Sequence, residues 1–255
     1  MSDLKEEKAV DTNETGQQVE ETVEETPVKR PVDPNLEGIQ LFYEKNKTMV
    51  NYVGGGLVVL IAAFVFYKFY YLPDKEKEAA NEIFWAQTYF EADSFNIALK
   101  GNIMVMAPEG QKTMMGFEQI ADEYSMTKSG SLANYCAGIC YLRTGKYQEA
   151  IERLQKYDGN DDIIAPIALG AIGDCHMEMN NADEAVKYYL KAAEKSSNSF
   201  TSPIYLKKAG LAYEVKANYT EALNVYERIK REFGKSQEGR EIERDIAKVK
   251  ALGNL

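Results

Sequence analysis

The 255-residue sequence predicts an all-α chain in which a single transmembrane helix is followed by an α-solenoid of about four helical hairpins and a C-terminal capping helix. Two observations predict this class. A run of twenty uncharged residues, long enough as a helix to cross about 30 Å of hydrocarbon, lies between Lys47 and Lys68. Beyond that run, small residues recur at intervals of 35 and 37 residues among apolar residues spaced three and four apart, which indicates a helical repeat array.

The first forty residues differ in composition from the rest of the chain. They carry eleven Asp and Glu against four Lys and Arg, a net charge of −7, and they contain no Phe, Tyr or Trp. Such a segment buries too little apolar surface to offset the loss of chain entropy on folding. We therefore expect residues 1–40 to form a disordered acidic tail, which acts either as a solvated spacer or as an arm that binds a basic partner.

The uncharged run and its flanks predict a membrane anchor over residues 41–73. Tyr52 lies near one end of the run and Tyr67 at the other, as in the aromatic belts of membrane helices, and Pro73 is expected to help end the helix. More than forty mostly polar residues precede the run, which argues against a cleaved secretory signal. Lysines flank both ends, so charge alone leaves the orientation in the membrane open.

Three repeats are predicted over residues 131–235. Each consists of two helices joined by a short polar turn, with small residues where the helices approach each other. The recurring small residues are Gly138, Gly173 and Gly210 on the first helices and Ala150, Ala185 and Ala222 on the second. Thr220, followed by an acidic residue, is expected to cap the start of the last of these helices.

The segments on either side of the three repeats depart from the pattern. Residues 74–130 predict a degenerate first repeat, which residues 100–112 interrupt, and an extra helix that follows the interruption. Residues 236–255 place apolar side chains at helical spacing among charges and predict the capping helix that a repeat array needs. No strand is expected anywhere in the chain.

The repeat pattern resembles the tetratricopeptide repeat (TPR). It reads G-x-x-Y, then eight residues of which the last is Glu, then Ala, with an aromatic residue or Leu four positions after the Ala, and His176 replaces the Tyr in the second repeat. The order of acidic tail, single span and TPR domain resembles the YfgM-like family of ancillary subunits of the bacterial SecYEG translocon. That resemblance implies a single-pass protein of the inner membrane with a cytoplasmic N-terminus, a periplasmic TPR domain and, as partners, the translocon, a periplasmic chaperone or secreted clients. The tail is longer than the cytosolic segment of that family.

The sequence offers no pattern for catalysis, for a metal or for a cofactor. Cys136 and Cys140 flank a repeat glycine, and Cys175 falls at the position of Cys140 in the next repeat, so we expect all three to be small packing residues. His176 is the one histidine, and it takes the place of a packed tyrosine. A net charge of −10 and a pI near 4.9 argue against nucleic acid as a partner.

Stacked hairpins of this kind form a superhelix whose concave groove is lined by the first helix of each pair. Aligning the repeats predicts these protein-binding groove residues: Leu132, Tyr135, Ile139, Leu142, Ile167, Asp174, Met177, Ile204, Lys207, Leu211 and Glu214. The set lacks the Lys, Asn and Arg combination with which chaperone-type TPR domains hold a terminal carboxylate. It therefore favours an extended or helical segment with apolar side chains, although the alternative is that some members only pack between repeats.

These observations predict a non-enzymatic, membrane-anchored module for protein–protein interaction, and the resemblance to the YfgM-like family implies that the module is linked to chaperones near the Sec translocon. The alternative is a structural scaffold or assembly organiser of the cell envelope or the division machinery, facing the cytosol. The identity of the compartment decides which partners are physically possible.

Overall fold

The computed structural model describes residues 34–108 and 110–255, and these are almost entirely helical. The predicted tail lies outside the described residues up to position 33. The helices are α1 Pro34–Lys45, α2 Lys47–Phe66, α3 Leu72–Glu91, α4 Phe95–Lys100, α5 Phe117–Glu123, α6 Lys128–Arg143, α7 Tyr147–Leu154, α8 Ile164–Glu178, α9 Ala182–Lys195, α10 Thr201–Val215, α11 Tyr219–Phe233 and α12 Gln237–Gly253. Two strands, β1 Gly101–Ala107 and β2 Gly110–Met115, pair as an antiparallel hairpin. The fold is therefore an all-α, TPR-like solenoid with one small β-hairpin inserted.

The described residues divide into two units, with the boundary between Leu60 and Ile61. Among the described residues, one helical stretch, Lys47–Glu91, is long and apolar enough to cross a membrane, judged by length and composition. Its apolar part is α2, which has no buried residue. Pro73 was expected to help end this helix, and that expectation is wrong: a π-helical turn, Tyr67–Tyr71, continues directly into α3. Pro73 lies in the first turn of α3, where a missing N–H is tolerated.

The second unit contains three helical hairpins, α6 with α7, α8 with α9, and α10 with α11. In each, the repeat glycine meets a large side chain that lies sixteen residues further along, on the second helix. A Cβ added to the glycine would come within 2.6 Å of that side chain in all three: Leu154 for Gly138, Tyr189 for Gly173 and Tyr226 for Gly210. The glycines therefore let the paired helices approach closely, and the space they leave is filled by one ring or one leucine.

The expectation that the chain has no strand is wrong, because residues 101–115 form the β-hairpin between α4 and α5. At the end of the β-hairpin next to α4 and α5, Gly101 and Gly116 let the two backbones lie close together. A Cβ on Gly101 would lie 2.4 Å from the backbone nitrogen of Gly116. Val105 and Ala107 are buried while Met104 and Met106 are exposed, so the strand alternates in burial. Both sets are apolar, and this hides the two-residue period in the sequence.

The last helix, α12, packs on α11 through Ile242, Ile246 and Val249, which are all buried. Ser236 caps its start by accepting a hydrogen bond from the Gly239 nitrogen at 3.0 Å. At the preceding helix, the prediction that Thr220 is the cap is wrong. Asn218 holds that position, and its side chain accepts from the Glu221 nitrogen at 3.3 Å.

Candidate protein-binding groove

A cavity of about 890 Å³ opens along the first helices of the three hairpins. We call this cavity and its lining residues the groove. Seven of the predicted residues line it: Tyr135, Ile139, Leu142, Ile167, Asp174, Met177 and Leu211. The residue directly after the repeat glycine lines the groove in every hairpin, which gives Ile139, Asp174 and Leu211. The repeat pattern thus brings equivalent positions of three helices to one surface.

Four predicted residues, Leu132, Ile204, Lys207 and Glu214, lie outside the groove lining. Leu132 packs against the buried cluster that contains α5 and α6 residues. Lys207 forms an ion pair with Asp245 of α12 at 3.4 Å, and Glu214 accepts a hydrogen bond from the Tyr226 hydroxyl at 2.7 Å. Because α10 is the first helix of the last hairpin, α12 covers the face that carries these two charged groups.

The alignment missed residues that do line the groove. On α10 these are Tyr205, Lys208, Ala212 and Val215, and Arg143, Ala171 and Glu178 extend the groove on α6 and α8. Phe90, Tyr147 and Tyr189 line it from neighbouring helices. The repeat position of Lys208, two residues before the glycine, holds Cys136 and Ala171 in the other two repeats, so the alignment carried no signal for a groove residue there.

A compensated ion pair lies in the groove. The Lys208 ammonium binds both carboxylate oxygens of Asp174, at 2.7 and 2.8 Å, and the Tyr189 hydroxyl donates to the same carboxylate at 2.7 Å. The ammonium also lies 5.7 and 5.8 Å from the ring centroids of Tyr189 and Tyr205. Burial raises the pKa of both phenols, so they stay neutral near pH 7. The centre of the groove therefore carries polar groups whose charges cancel.

The two ends of the groove differ in chemistry. On α10, Leu211 and Val215 are 43% and 70% exposed, so apolar side chains face solvent here. On α6, the exposed Arg143 has no carboxylate within 4 Å among the described residues. An apolar end and a cationic end give a bound polypeptide a preferred direction along the groove.

The three cysteines and the histidine are part of the packing. Cys136, Cys140 and Cys175 are at most 5% exposed, and burial raises the pKa of each thiol to about 12. His176 stacks on Tyr188 with ring centroids 5.4 Å apart, and burial lowers the pKa of its imidazole. Within residues 34–108 and 110–255, no group of three His, Cys, Asp or Glu side chains is arranged to hold a metal ion. The groove is thus the feature of the described residues best suited to a ligand.

The chain was compared with known proteins, and no family model matches it. A similar protein is tetratricopeptide repeat protein 29 of Macaca fascicularis, 28% identical over 119 residues, which are 44% of this chain. The matched region spans 25% of that protein's length. The similarity supports a TPR-type family for the helical hairpins and has no bearing on the resemblance to the YfgM-like family.

Proposed function

We propose that the chain is a single-pass membrane protein whose TPR-like array binds segments of other polypeptides in the groove and performs no chemistry on them. The observation that carries this proposal is the groove itself. It is concave, is lined by equivalent positions of three repeats, and exposes apolar side chains such as Leu211 and Val215. A lining in which exposed apolar side chains lie beside a neutralised ion pair suits a segment that inserts apolar side chains as anchors.

The charges in the groove narrow the type of ligand. Asp174 neutralises Lys208 through two hydrogen bonds, so the centre of the groove offers no free cation to hold a terminal carboxylate. A ligand that enters by its apolar side chains avoids breaking this pair. We therefore propose that the centre of the groove holds an internal segment of a polypeptide, in extended or helical form.

The membrane placement rests on α2, whose twenty residues are long and apolar enough to cross a bilayer. The finer placement is drawn from the resemblance to the YfgM-like family: a bacterial inner membrane, a cytoplasmic N-terminus, a periplasmic TPR domain and a position beside the Sec translocon. In that setting the groove assists the handover of secreted chains, together with a periplasmic chaperone. Protease treatment of spheroplasts tests the compartment, since the TPR domain is cut only if it is periplasmic.

Photocrosslinking in cells tests the binding function. A photoreactive benzoylphenylalanine replaces Leu211 in the full chain, and the matched control carries it at Leu252, which is 51% exposed on α12 and outside the groove lining. We expect polypeptide adducts from position 211 at a yield about tenfold above those from position 252. Adducts with nascent secreted chains or translocon subunits support handover, whereas adducts only with division or envelope components support the scaffold alternative. Equal yields at the two positions contradict binding in the groove.

A further inference from the structure

The first helix of each hairpin ends in the groove. The last residues of α6, α8 and α10 are Arg143, Glu178 and Val215, and all three line the cavity. Each lies five residues after its repeat glycine, so the three are equivalent positions of the repeat. We call these three side chains the end row. Equivalent positions therefore place a cation, an anion and an apolar side chain in this order along the groove.

The side chains of the end row are available to a ligand. Arg143 and Glu178 are exposed, and among the described residues neither lies within 4 Å of an oppositely charged group. The Tyr147 hydroxyl donates a hydrogen bond to Glu178 at 3.2 Å, which leaves the charge of the carboxylate in place. Val215 is 70% exposed. The end row thus differs from the ion pair at the centre of the groove, whose charges cancel.

Helix stability does not account for the residues of the end row. The C-terminus of a helix carries a partial negative charge, so a cation there is favourable and an anion is unfavourable. Arg143 follows this rule, whereas Glu178 at the end of α8 opposes it. Val215 exposes a β-branched apolar side chain to water at the end of α10. Residues that oppose local stability are expected at functional sites, so Glu178 and Val215 indicate a role in binding.

The spacing of the end row fits an extended polypeptide segment. α6 contacts α8, and α8 contacts α10, and packed helices lie about 8–10 Å apart. A polyproline II segment returns a side chain to the same side every three residues, which is about 9 Å. An α-helix needs about seven residues for the same step, so it would have to order about twice as many residues to meet all three positions. Unfolded chains already populate polyproline II, which lowers the entropy cost of binding in that form.

We infer that the groove selects an extended polypeptide segment that carries an acidic, a basic and an apolar side chain at every third position, opposite Arg143, Glu178 and Val215 respectively. The inference deepens the proposed function and rests on it, because it names the class of segment that the groove binds. The two ion pairs set the register of the segment, and the apolar contact sets which of its ends lies on α10.

Binding of two peptides of equal composition to the full chain in nanodiscs tests the inference. The first peptide is Glu-Pro-Pro-Lys-Pro-Pro-Leu, the second exchanges the Glu and the Lys, and both have blocked termini so that no end charge contributes. Both are also made in the reverse direction, because the end row sets the order of the side chains and not the direction of the backbone. By fluorescence anisotropy of labelled peptides, we expect the first order to bind about tenfold more tightly than the exchanged order in one of the two directions, since it makes two attractive contacts in place of two repulsive ones.

Charge reversal in the protein makes the test specific to the end row. We expect the double variant Arg143→Glu with Glu178→Arg to prefer the exchanged peptide by about tenfold, with unchanged helicity by circular dichroism because both side chains are exposed. The matched control is Glu241→Arg with Arg244→Glu, exposed on α12 and outside the groove lining, which should keep the wild-type preference. Glu178→Gln removes one charge at constant size and should reduce the preference about threefold.

The outcomes separate this inference from groove binding itself. Equal binding of the two orders in both directions, or a preference that the double reversal leaves unchanged or that the control reversal also inverts, overturns the inference. Failure of every peptide to bind a chain that still gives adducts from position 211 also overturns it and leaves groove binding standing. Absence of both the adducts and peptide binding contradicts groove binding, and the inference fails with it.

Discussion

The segment Leu72–Glu123 and the three hairpins that follow it solve the problem of close helix approach differently. In the hairpins, each repeat glycine faces a side chain, as Gly210 faces the Tyr226 ring. In the earlier segment, Gly101 and Gly116 face each other's backbone where the β-hairpin closes. A side chain can rotate away from an added methyl group, whereas two crossing backbones cannot. The comparison teaches that a glycine's tolerance to substitution depends on what lies opposite it.

The two regions also differ in how their helices begin. The second helices of the later hairpins, α9 and α11, begin at Asn181 and Asn218, whose side chains accept hydrogen bonds from the backbone three residues on. The short helices α4 and α5 begin at Ser94 and Gly116 without a side-chain cap. The last two hairpins therefore specify the starts of their second helices locally, while α4 and α5, like α7 of the first hairpin, depend on tertiary contacts. Three substitutions test this contrast.

The largest effect is expected from Gly101→Ala. Gly101 has φ of +65° and ψ of −129°, a conformation that side chains strongly disfavour, and the new Cβ would lie 2.4 Å from backbone atoms of Gly116 and Met114. We expect the free energy of unfolding to fall by about 3–4 kcal/mol, because strain and steric overlap add. The thermal midpoint of the full chain in detergent should fall by about 10 °C, measured by circular dichroism.

Gly110→Ala is the control in the same hairpin. Gly110 also has a positive φ, +121°, but no described atom lies within 4 Å of an added Cβ. The substitution therefore adds backbone strain without steric overlap, and we expect the free energy of unfolding to fall by about 1–2 kcal/mol. If Gly101→Ala and Gly110→Ala lowered the free energy of unfolding equally, the close approach of the backbones at Gly101 would not contribute to the cost of the substitution.

A smaller loss is expected from Gly210→Ala, which tests the regular hairpins. The added Cβ would lie 2.2 Å from the Tyr226 ring, which is fully buried and bonded through its hydroxyl to Glu214. We expect the free energy of unfolding to fall by about 2 kcal/mol, because the ring must shift in a packed core. The double variant Gly210→Ala with Tyr226→Leu should lose less than the sum of the two single losses, since the smaller side chain relieves the overlap. Additive losses would contradict the proposed contact.

The contrast also explains which parts of the fold the sequence predicts. The three hairpins are predictable because glycine and alanine recur at fixed intervals, and the structure uses those same positions for close approach. The β-hairpin is not predictable from periodicity, because its exposed positions carry Met104 and Met106 and its buried ones carry Val105 and Ala107. When both faces are apolar, the alternation that marks a strand disappears. Its remaining signal is the pair of glycines, at 101 and 116.

The groove residues were also only partly predictable from the sequence. The position after each repeat glycine faces the groove in all three hairpins, so local alignment and the structure both place Ile139, Asp174 and Leu211 at one surface. Local alignment fails for Lys207 and Glu214, because a helix that comes later in the chain covers their side of α10. The charges at these two positions, where the first repeat has Tyr135 and Leu142, were the signal that the last repeat meets a different neighbour.

The smallest effect is expected from Asn218→Ala, which removes the cap of α11. The Asn218 side chain accepts a hydrogen bond from the Glu221 nitrogen at 3.3 Å, and without it that N–H loses its partner. We expect a loss of about 1 kcal/mol, seen as a small fall in the thermal midpoint. Thr220→Ala is the matched control, since Thr220 is exposed and lies inside the first turn of the helix, and we expect a change of a few tenths of a kcal/mol. A larger loss of unfolding free energy for Thr220→Ala than for Asn218→Ala would indicate that Thr220 caps α11, as the sequence alone predicts. It would also contradict the difference in helix capping between the last two hairpins and the earlier segment.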